Sequence, residues 1–188
     1  MEWQEKIEQA RKYKASGNSS YKEKQWKSAV GQYHRALLFI KGLEASQQPM
    51  MMNLPIKEQP KVPPEILNEA KKLKVDCHNN LAACLLQQEQ PSYEKILTYC
   101  DNVLEESPDN VKAMYRKGVS LYHLKNFDSA KSVLLAASNL PDGQKDGNIR
   151  KYLQLCGKGL ESQEVKLKET YKGMFQRRSE ESGDAPLQ

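Results

Sequence analysis

One spacing of small and aromatic residues, which occurs three times, constrains the fold of this sequence most strongly. In each occurrence an aromatic residue is followed three positions later by a small or apolar residue, and ten positions later by a small or β-branched one. The sets are Trp26, Ala29, Ala36; Tyr93, Ile96, Val103; and Phe127, Ala130, Ala137. A further small residue precedes each set, at Gly17, Ala82 and Gly118. Such self-similarity predicts a chain built from copies of one supersecondary unit.

The interval between the copies predicts pairs of helices. Ala82 and Gly118 lie 36 positions apart, close to the period of about 34 residues that is typical of helix–turn–helix repeats. Two antiparallel helices approach closely only where one presents Gly or Ala and the other inserts a ring or a branched side chain. The small residues are therefore expected to open a gap, and the aromatic residue of each set to help fill the space between neighbouring helices. We predict an all-α fold, an α-solenoid of three helix pairs plus a long C-terminal capping helix.

Helical spacing of apolar residues and local stop signals set the predicted boundaries. The predicted helices cover residues 2–22, 26–42, 65–88, 92–105, 110–123, 127–138 and about 147–177. Pro108 ends one helix, and Asp109 or Asn110 can cap the next. Residues 44–64 contain five of the nine prolines, so this segment is predicted to be a long loop. Residues 179–188 are predicted to form a disordered tail.

Composition and charge exclude several classes of protein. The longest apolar run, residues 81–86, is six residues long, whereas about 20 are needed to span a bilayer. The N-terminus is charged from its second residue, unlike a secretory signal, so we expect a cytoplasmic protein. The formal charge of +5 comes from 29 basic and 24 acidic residues that are interspersed. A nucleic-acid-binding protein more often has a continuous basic patch.

The sequence contains few candidates for catalysis or metal binding. The four cysteines lack Cys-x-x-Cys spacing, and most have apolar neighbours, which predicts reduced core thiols. They are Cys77, Cys84, Cys100 and Cys156. The three histidines are far apart and outside any HExxH motif, and there is no GxSxG or P-loop motif. We expect no enzymatic activity, no cofactor and no metal.

The repeats resemble the tetratricopeptide repeat. Its consensus positions occur in GNSSYKEKQWKSAVGQYHRAL, NLAACLLQQEQPSYEKILTYCDNVL and GVSLYHLKNFDSAKSVLLAA, with a longer turn at QQEQPSY in the second copy. HNNLAACLL, the long helix before it and TYKGMFQRR resemble the tetratricopeptide repeat protein 9 family, which is related to the repeat domains of large immunophilins. The resemblance implies a domain over residues 1–178, with repeats at about 9–43, 74–108 and 109–142. Those immunophilins carry a prolyl-isomerase domain, for which no residues remain here.

Five polar residues are predicted to line one groove. When the small residue of each inner helix is set in register, they fall at positions i, i+3, i+4 and i+7, which share one helix face. They are Lys112, then Lys14, then Asn80 with Arg116, then Asn18. Stacked repeats align their inner helices side by side, so these five clamp residues should converge. Because Asn79 adjoins Asn80, either of the two asparagines could be the one that faces the groove.

Three cations and two amides suit a carboxylate ligand. Arg116 can hold two carboxylate oxygens with its planar guanidinium, whereas Lys14 and Lys112 act as point charges. Asn18 and Asn80 donate N–H bonds without adding charge. The set is similar to the dicarboxylate clamp of co-chaperone tetratricopeptide domains. The resemblance implies that the ligand is the Glu-Glu-Val-Asp ending of heat-shock protein 90 or 70.

The favoured hypothesis is therefore a non-enzymatic protein–protein interaction adaptor of co-chaperone type. An alternative is a scaffold that binds another partner through its convex face or its C-terminal helix. The first half of that helix is expected to cap the last repeat. Its second half alternates apolar and basic residues, a pattern of helices that bind calmodulin or an anionic surface. A prolyl isomerase is the third hypothesis, and the length of the chain argues against it.

Overall fold

Seven helices form the part of the chain that the computed structural model describes, residues 3–44 and 62–182. They are α1 Trp3–Lys22, α2 Trp26–Glu44, α3 Pro64–Leu86, α4 Tyr93–Glu106, α5 Val111–His123, α6 Phe127–Asn139 and α7 Gly147–Ser182. Each helix packs against the next one along the chain. In addition, α1 packs on α3, α3 on α5, and α5 on α7. The predicted all-α solenoid of helix pairs is confirmed, with α1, α3, α5 and α7 as its inner row.

The predicted helix boundaries agree with the structure to within two residues, except at the C-terminus. The predicted restart after Pro108 is also present. Asn110 caps α5, since its Oδ1 accepts a hydrogen bond from the backbone N–H of Ala113 at 3.0 Å. Local signals in the sequence thus define where most of the helices begin and end.

The C-terminal helix is longer than predicted. α7 continues to Ser182, so residues 179–182 of the predicted disordered tail are helical. Arginine and glutamate favour helix, and the sequence has no glycine between Gly173 and Gly183 to interrupt it. The rest of that predicted tail lies outside the described residues. Residues 45–61, which make up most of the predicted proline-rich loop, also lie outside them.

Two of the turns between helices repeat one backbone geometry. Lys24, between α1 and α2, has a φ of 59°, and Lys125, between α5 and α6, has a φ of 60°. A left-handed residue of this kind ends a helix and reverses the chain within a short turn. The α3–α4 connection, residues 87–92, is longer, as the QQEQPSY stretch predicts. The shared conformation shows that the first and third repeats close in the same way.

Glycines allow the two helices of a pair to approach closely, as predicted. A Cβ atom at Gly17 would lie 2.6 Å from Cε1 of Tyr33 in α2. A Cβ atom at Gly118 would lie 2.5 Å from Cγ of Leu134 in α6. Both distances are shorter than a close-packed interior tolerates, so a side chain at either position would displace its neighbour.

The aromatic residues that open each set help fill the space between neighbouring helices, as Phe127 does against Gly159, but they do not fill the gaps at Gly17 and Gly118. Tyr33 and Leu134 fill them instead of Trp26 and Phe127. The reason is the antiparallel pairing about the turn. A residue at the start of the second helix lies beside the end of the first, whereas the gap lies about two turns further along. Trp26 accordingly packs against Tyr21, with ring centroids 5.0 Å apart.

The four cysteines belong to the core. Cys77 and Cys84 pack in one cluster with Tyr33, while Cys100 and Cys156 lie in two others. All four are buried and free. Burial raises the pKa of Cys77 and of Cys100 to about 12 and that of Cys84 to about 11, because a desolvated thiolate is unfavourable. The prediction of reduced core thiols is confirmed.

α7 begins in the core and ends as an exposed helix. Ile149 and Cys156 are fully buried in the cluster that contains Leu134. A Cβ atom at Gly159 would lie 2.8 Å from the ring of Phe127. Every residue from 161 to 172 is exposed. The first half of α7 therefore covers the last repeat, as expected of a cap, and the second half extends past it. Within the described ranges, none of the helices is both long and apolar enough to cross a bilayer.

Candidate functional site

The inner row carries all five clamp residues. Lys14 and Asn18 lie on α1, Asn80 on α3, and Lys112 and Arg116 on α5. Because α3 packs against both α1 and α5, three stretches that are distant in sequence become neighbours. The five residues therefore lie on three adjacent helices of the inner row.

Two of the predicted amides are in direct contact. Asn80 Nδ2 donates a hydrogen bond to Asn18 Oδ1 at 3.0 Å, and Tyr33 Oη donates to the same oxygen at 2.8 Å. Two donors on one oxygen fix the orientation of the Asn18 amide. Among the described residues, Asn18 Nδ2 has no hydrogen-bond partner, so it is the donor that remains for a ligand.

Arg116 reaches α3 through Asn79. Its Nη1 donates to Asn79 Oδ1 at 2.9 Å, and Asn79 Nδ2 donates at 3.3 Å to Asn110 Oδ1, the oxygen that caps α5. Arg116 is half-buried, and desolvation lowers its pKa, although a guanidinium stays charged at neutral pH. It has five N–H donors, of which Asn79 takes one. A bidentate pair is therefore left for a carboxylate.

Lys112 and Arg116 line the same groove, whose volume is about 910 Å³. Tyr93, His123 and Tyr152 form an aromatic part of its wall, with the rings of Tyr93 and His123 stacked 4.6 Å apart. Lys112 is exposed and has no hydrogen-bond or ion-pair partner in the described part of the chain. The groove is within the size range of ligand sites and combines two cations and aromatic surface with three carboxylates, those of Asp109, Asp142 and Asp146.

Lys14 is paired with an acid of the same chain. Its Nζ forms an ion pair and a hydrogen bond with Oδ2 of Asp76 on α3. The Lys14 side chain is 25% exposed and the Asp76 side chain 51%. Asp76 lies one helical turn before Asn80, on the same face. The cation that α1 contributes thus meets an internal carboxylate.

The structure therefore relates the five clamp residues in different ways. Asn18 and Asn80 touch, Arg116 joins α3 through the neighbouring Asn79, and Lys112 shares the groove of Arg116. Both of the adjacent asparagines form hydrogen bonds to a neighbouring helix, Asn80 to α1 and Asn79 to α5. The Lys14 ammonium is engaged by Asp76, a pairing that the sequence analysis did not anticipate.

Two residues of the site were missed from the sequence. Asp76 could have been found, because it lies four positions before Asn80 and so faces the same side of α3. Tyr33 belongs to an outer helix, so the register of the inner helices gives no signal for it. Its contact with Asn18 depends on the close approach of α1 and α2 at Gly17.

The gathered groups are suited to binding anions. They are ammonium, guanidinium and amide donors, which hold carboxylates by charge-assisted hydrogen bonds. Within the described residues, no group of three or more His, Cys, Asp or Glu could hold a metal ion. His123, in the groove wall, has its pKa lowered by burial.

The stacked antiparallel helix pairs and their repeated spacing of small residues define a tetratricopeptide repeat protein. No family model matches the chain. It is 42% identical over 168 residues to tetratricopeptide repeat protein 9C of Xenopus tropicalis, covering 89% of this chain and 92% of that protein. The chain belongs to the tetratricopeptide repeat protein 9 family.

The relation to immunophilins is also present. The chain is 31% identical to the peptidyl-prolyl cis-trans isomerase FKBP42 of Arabidopsis thaliana, over 94% of this chain and 44% of that protein. It therefore spans less than half the length of this relative. The C-terminal TPR-containing domain of a Plasmodium falciparum FK506-binding protein has a TM-score of 0.71 and 25% identity, covering 88% of this chain and 97% of that domain.

The similar structures include complexes with peptides. The first TPR of Spaghetti, bound to the HSP90 peptide SRMEEVD, has a TM-score of 0.58 and 14% identity. The match covers 81% of this chain and 94% of that one. At this identity the likeness is one of fold.

Proposed function

We propose that this chain is a non-enzymatic adaptor of co-chaperone type that binds the C-terminal Glu-Glu-Val-Asp peptide of heat-shock protein 90 or 70. The observation that supports the proposal is that inner-row amides adjoin a groove lined by Arg116 and Lys112. Asn80 touches Asn18, and the adjacent Asn79 holds Arg116, which lines the groove with Lys112. A cytoplasmic location follows from this choice of partner.

Three of the clamp residues have distinct roles in this proposal. Arg116 holds two oxygens of one carboxylate, and Lys112 adds an unpaired positive charge at the groove. Asn18 donates its free N–H to an oxygen and so fixes the orientation of the peptide end. The residues before the acidic end lie along the wall formed by Tyr93 and His123.

The expected affinity is modest. A charge-assisted hydrogen bond contributes roughly 1.5–3 kcal/mol net, and association costs on the order of 4–15 kcal/mol or more. A handful of such bonds therefore gives an affinity of about micromolar, suited to an adaptor that releases its partner. The Spaghetti domain, bound to an HSP90 peptide ending in Glu-Glu-Val-Asp, supports the choice of ligand.

The peptide SRMEEVD tests the proposal in two forms. Isothermal titration with the free acid and with the C-terminal amide compares ligands that differ in one carboxylate. We expect the free acid to bind about tenfold more tightly, because the amide loses a charge-assisted interaction. Equal affinity for the two forms would overturn the proposal.

A matched pair of variants tests the site. Arg116→Ala removes a cation of the groove. Lys117→Ala removes the charge of the next residue on α5, whose ammonium pairs with Asp101 at 2.6 Å. Both lower the charge by one. We expect Arg116→Ala and Lys14→Ala each to weaken binding by about 1.5 kcal/mol or more, and Lys117→Ala to leave it nearly unchanged. An equal effect of all three would mean that net charge alone governs binding.

A second candidate function rests on the exposed end of α7. Leu167, Tyr171 and Met174 lie on one side of this helix with exposures of 55%, 53% and 56%, and lysines accompany them. We propose this stripe as a surface for a calmodulin-like partner. Replacing the three residues by alanine should abolish binding of calcium-loaded calmodulin without affecting SRMEEVD. Binding to anionic vesicles alone would instead favour a membrane surface.

A further inference from the structure

We propose that Asp76 is an internal competitor that occupies Lys14 and thereby sets the affinity and the selectivity of the clamp; this inference rests on the proposed function. The Lys14 ammonium is bonded to the Asp76 carboxylate across the α1–α3 contact. A carboxylate is also what the clamp is proposed to receive. The chain thus supplies at this position the same chemical group that its ligand would bring.

The placement of Asp76 allows it to act on a ligand. It lies four positions before Asn80 on α3, so its side chain emerges one turn away on the face that carries the clamp amide. Its side chain is half exposed, at 51%. A carboxylate in this position can move aside or share the ammonium without disturbing the core.

The negative charge of Asp76 affects ligands differently according to how many carboxylates they carry. Lys14, Lys112 and Arg116 carry three positive charges, and Asp76 neutralises the one that α1 contributes. Three aspartates also line the groove of Lys112 and Arg116. A ligand carboxylate at Lys14 meets the repulsion of Asp76 at short range, or must displace it. Repulsion between unit charges a few ångströms apart is substantial even near a protein surface. Ligands that bring several carboxylates can offset this cost, and ligands that bring one cannot.

Asp76→Asn tests the inference against a matched control. Asparagine keeps the shape of the side chain and an oxygen that can accept from Lys14, so only the charge is lost. The control is Asp101→Asn, which opens the Lys117–Asp101 pair. That pair has side-chain exposures of 28% and 50%, against 25% and 51% for Lys14 and Asp76. Both substitutions raise the net charge by one, and both lie at exposed positions.

We expect Asp76→Asn to bind free-acid SRMEEVD about threefold to tenfold more tightly than the Asp101→Asn control. The gain should be smaller for the amidated peptide, so the ratio of free-acid affinity to amide affinity should be higher in Asp76→Asn. An affinity equal to that of Asp101→Asn, or lower than that of the wild type, would overturn the inference.

A second measurement separates competition from simple repulsion. If Asp76 occupies Lys14, then Lys14→Ala costs more affinity in the Asp76→Asn background than in the wild type, because the lysine is fully available only there. Equal costs in the two backgrounds would overturn the competition. Loss of discrimination between free acid and amide in every variant would overturn the proposed function and this inference together. Discrimination in the wild type without a specific gain in Asp76→Asn would overturn this inference alone.

Discussion

Tyr33 contacts both Gly17, where the first helix pair packs closely, and Asn18 of the proposed clamp. Its hydroxyl donates to Asn18 Oδ1 at 2.8 Å, and its ring occupies the space left by the missing side chain of Gly17. Burial raises the pKa of Tyr33, so the hydroxyl stays protonated and can donate at neutral pH. One residue of an outer helix therefore both closes the α1–α2 pair and orients an amide of the inner row.

Tyr33→Phe should weaken peptide binding while it keeps the fold. The ring still fills the gap at Gly17, but Asn18 loses one of the two donors that orient its amide. We expect the affinity for SRMEEVD to fall by about threefold to tenfold, as for the loss of one neutral hydrogen bond. Tyr99→Phe is the control, since the Tyr99 hydroxyl contacts His34 Nε2 at 3.2 Å instead of a clamp residue. Equal losses in both variants would contradict the role of Tyr33.

Gly118→Ala should destabilise the protein, and Gly31→Ala should not. A Cβ atom at position 118 would lie 2.5 Å from Leu134, so the α5–α6 pair must move apart. The expected cost is about 1–3 kcal/mol. Around Gly31 no heavy atom beyond the adjacent residues and the backbone of α2 itself lies within 4 Å of the added Cβ, and alanine there should stabilise α2 by roughly 0.5–1 kcal/mol. Urea denaturation of both variants measures the difference. Destabilisation by Gly31→Ala of the same size would show that close packing is not the cause.

Helix boundaries could be predicted from the sequence because they depend on local signals. Apolar spacing marks the helices, and the cap at Asn110 lies just after the proline that ends the previous helix. The partner of Gly17 could not be predicted in this way. Trp26 and Tyr33 are both aromatic and both lie on α2, and periodicity alone does not say which faces the gap. The choice depends on the length of the turn, which the left-handed conformation of Lys24 fixes.

The helices that carry the five clamp residues were predictable, but the contacts of these residues were not. The register of the small residues placed Lys14, Asn18 and Arg116 on inner helices that do lie side by side. The ion pair of Lys14 with Asp76 depends on the rotamers of long side chains and on the distance between two helices. A linear pattern contains neither quantity. It also treats Asn79 and Asn80 as alternatives, whereas the structure uses both, each toward a different neighbouring helix.

The cysteines should be unreactive in the folded protein. Burial raises the pKa of Cys77 and Cys100 to about 12, so at pH 8 almost none of either thiol is the reactive thiolate. We expect iodoacetamide to modify the native protein slowly and all four cysteines rapidly in guanidinium chloride. Mass spectrometry with and without denaturant measures both. Rapid modification of Cys77 or Cys100 in native conditions would contradict the described burial, unless it matched the rate of local opening measured by hydrogen exchange.

Truncation of α7 should show that only its first half contributes to the stability of the fold. A chain that ends at Glu164 keeps the buried Ile149 and Cys156 and the bond from Gln163 Nε2 to the Lys125 carbonyl oxygen at 3.1 Å. The removed stretch is exposed through residue 172, so the free energy of unfolding should change by less than about 0.5 kcal/mol. Replacing Ile149 by alanine in the full chain instead opens a cavity against Leu134 and should cost roughly 2–5 kcal/mol. Guanidinium unfolding followed by circular dichroism compares the two. A large loss of stability on truncation at Glu164 would mean that the distal part of α7 packs against the repeats in solution.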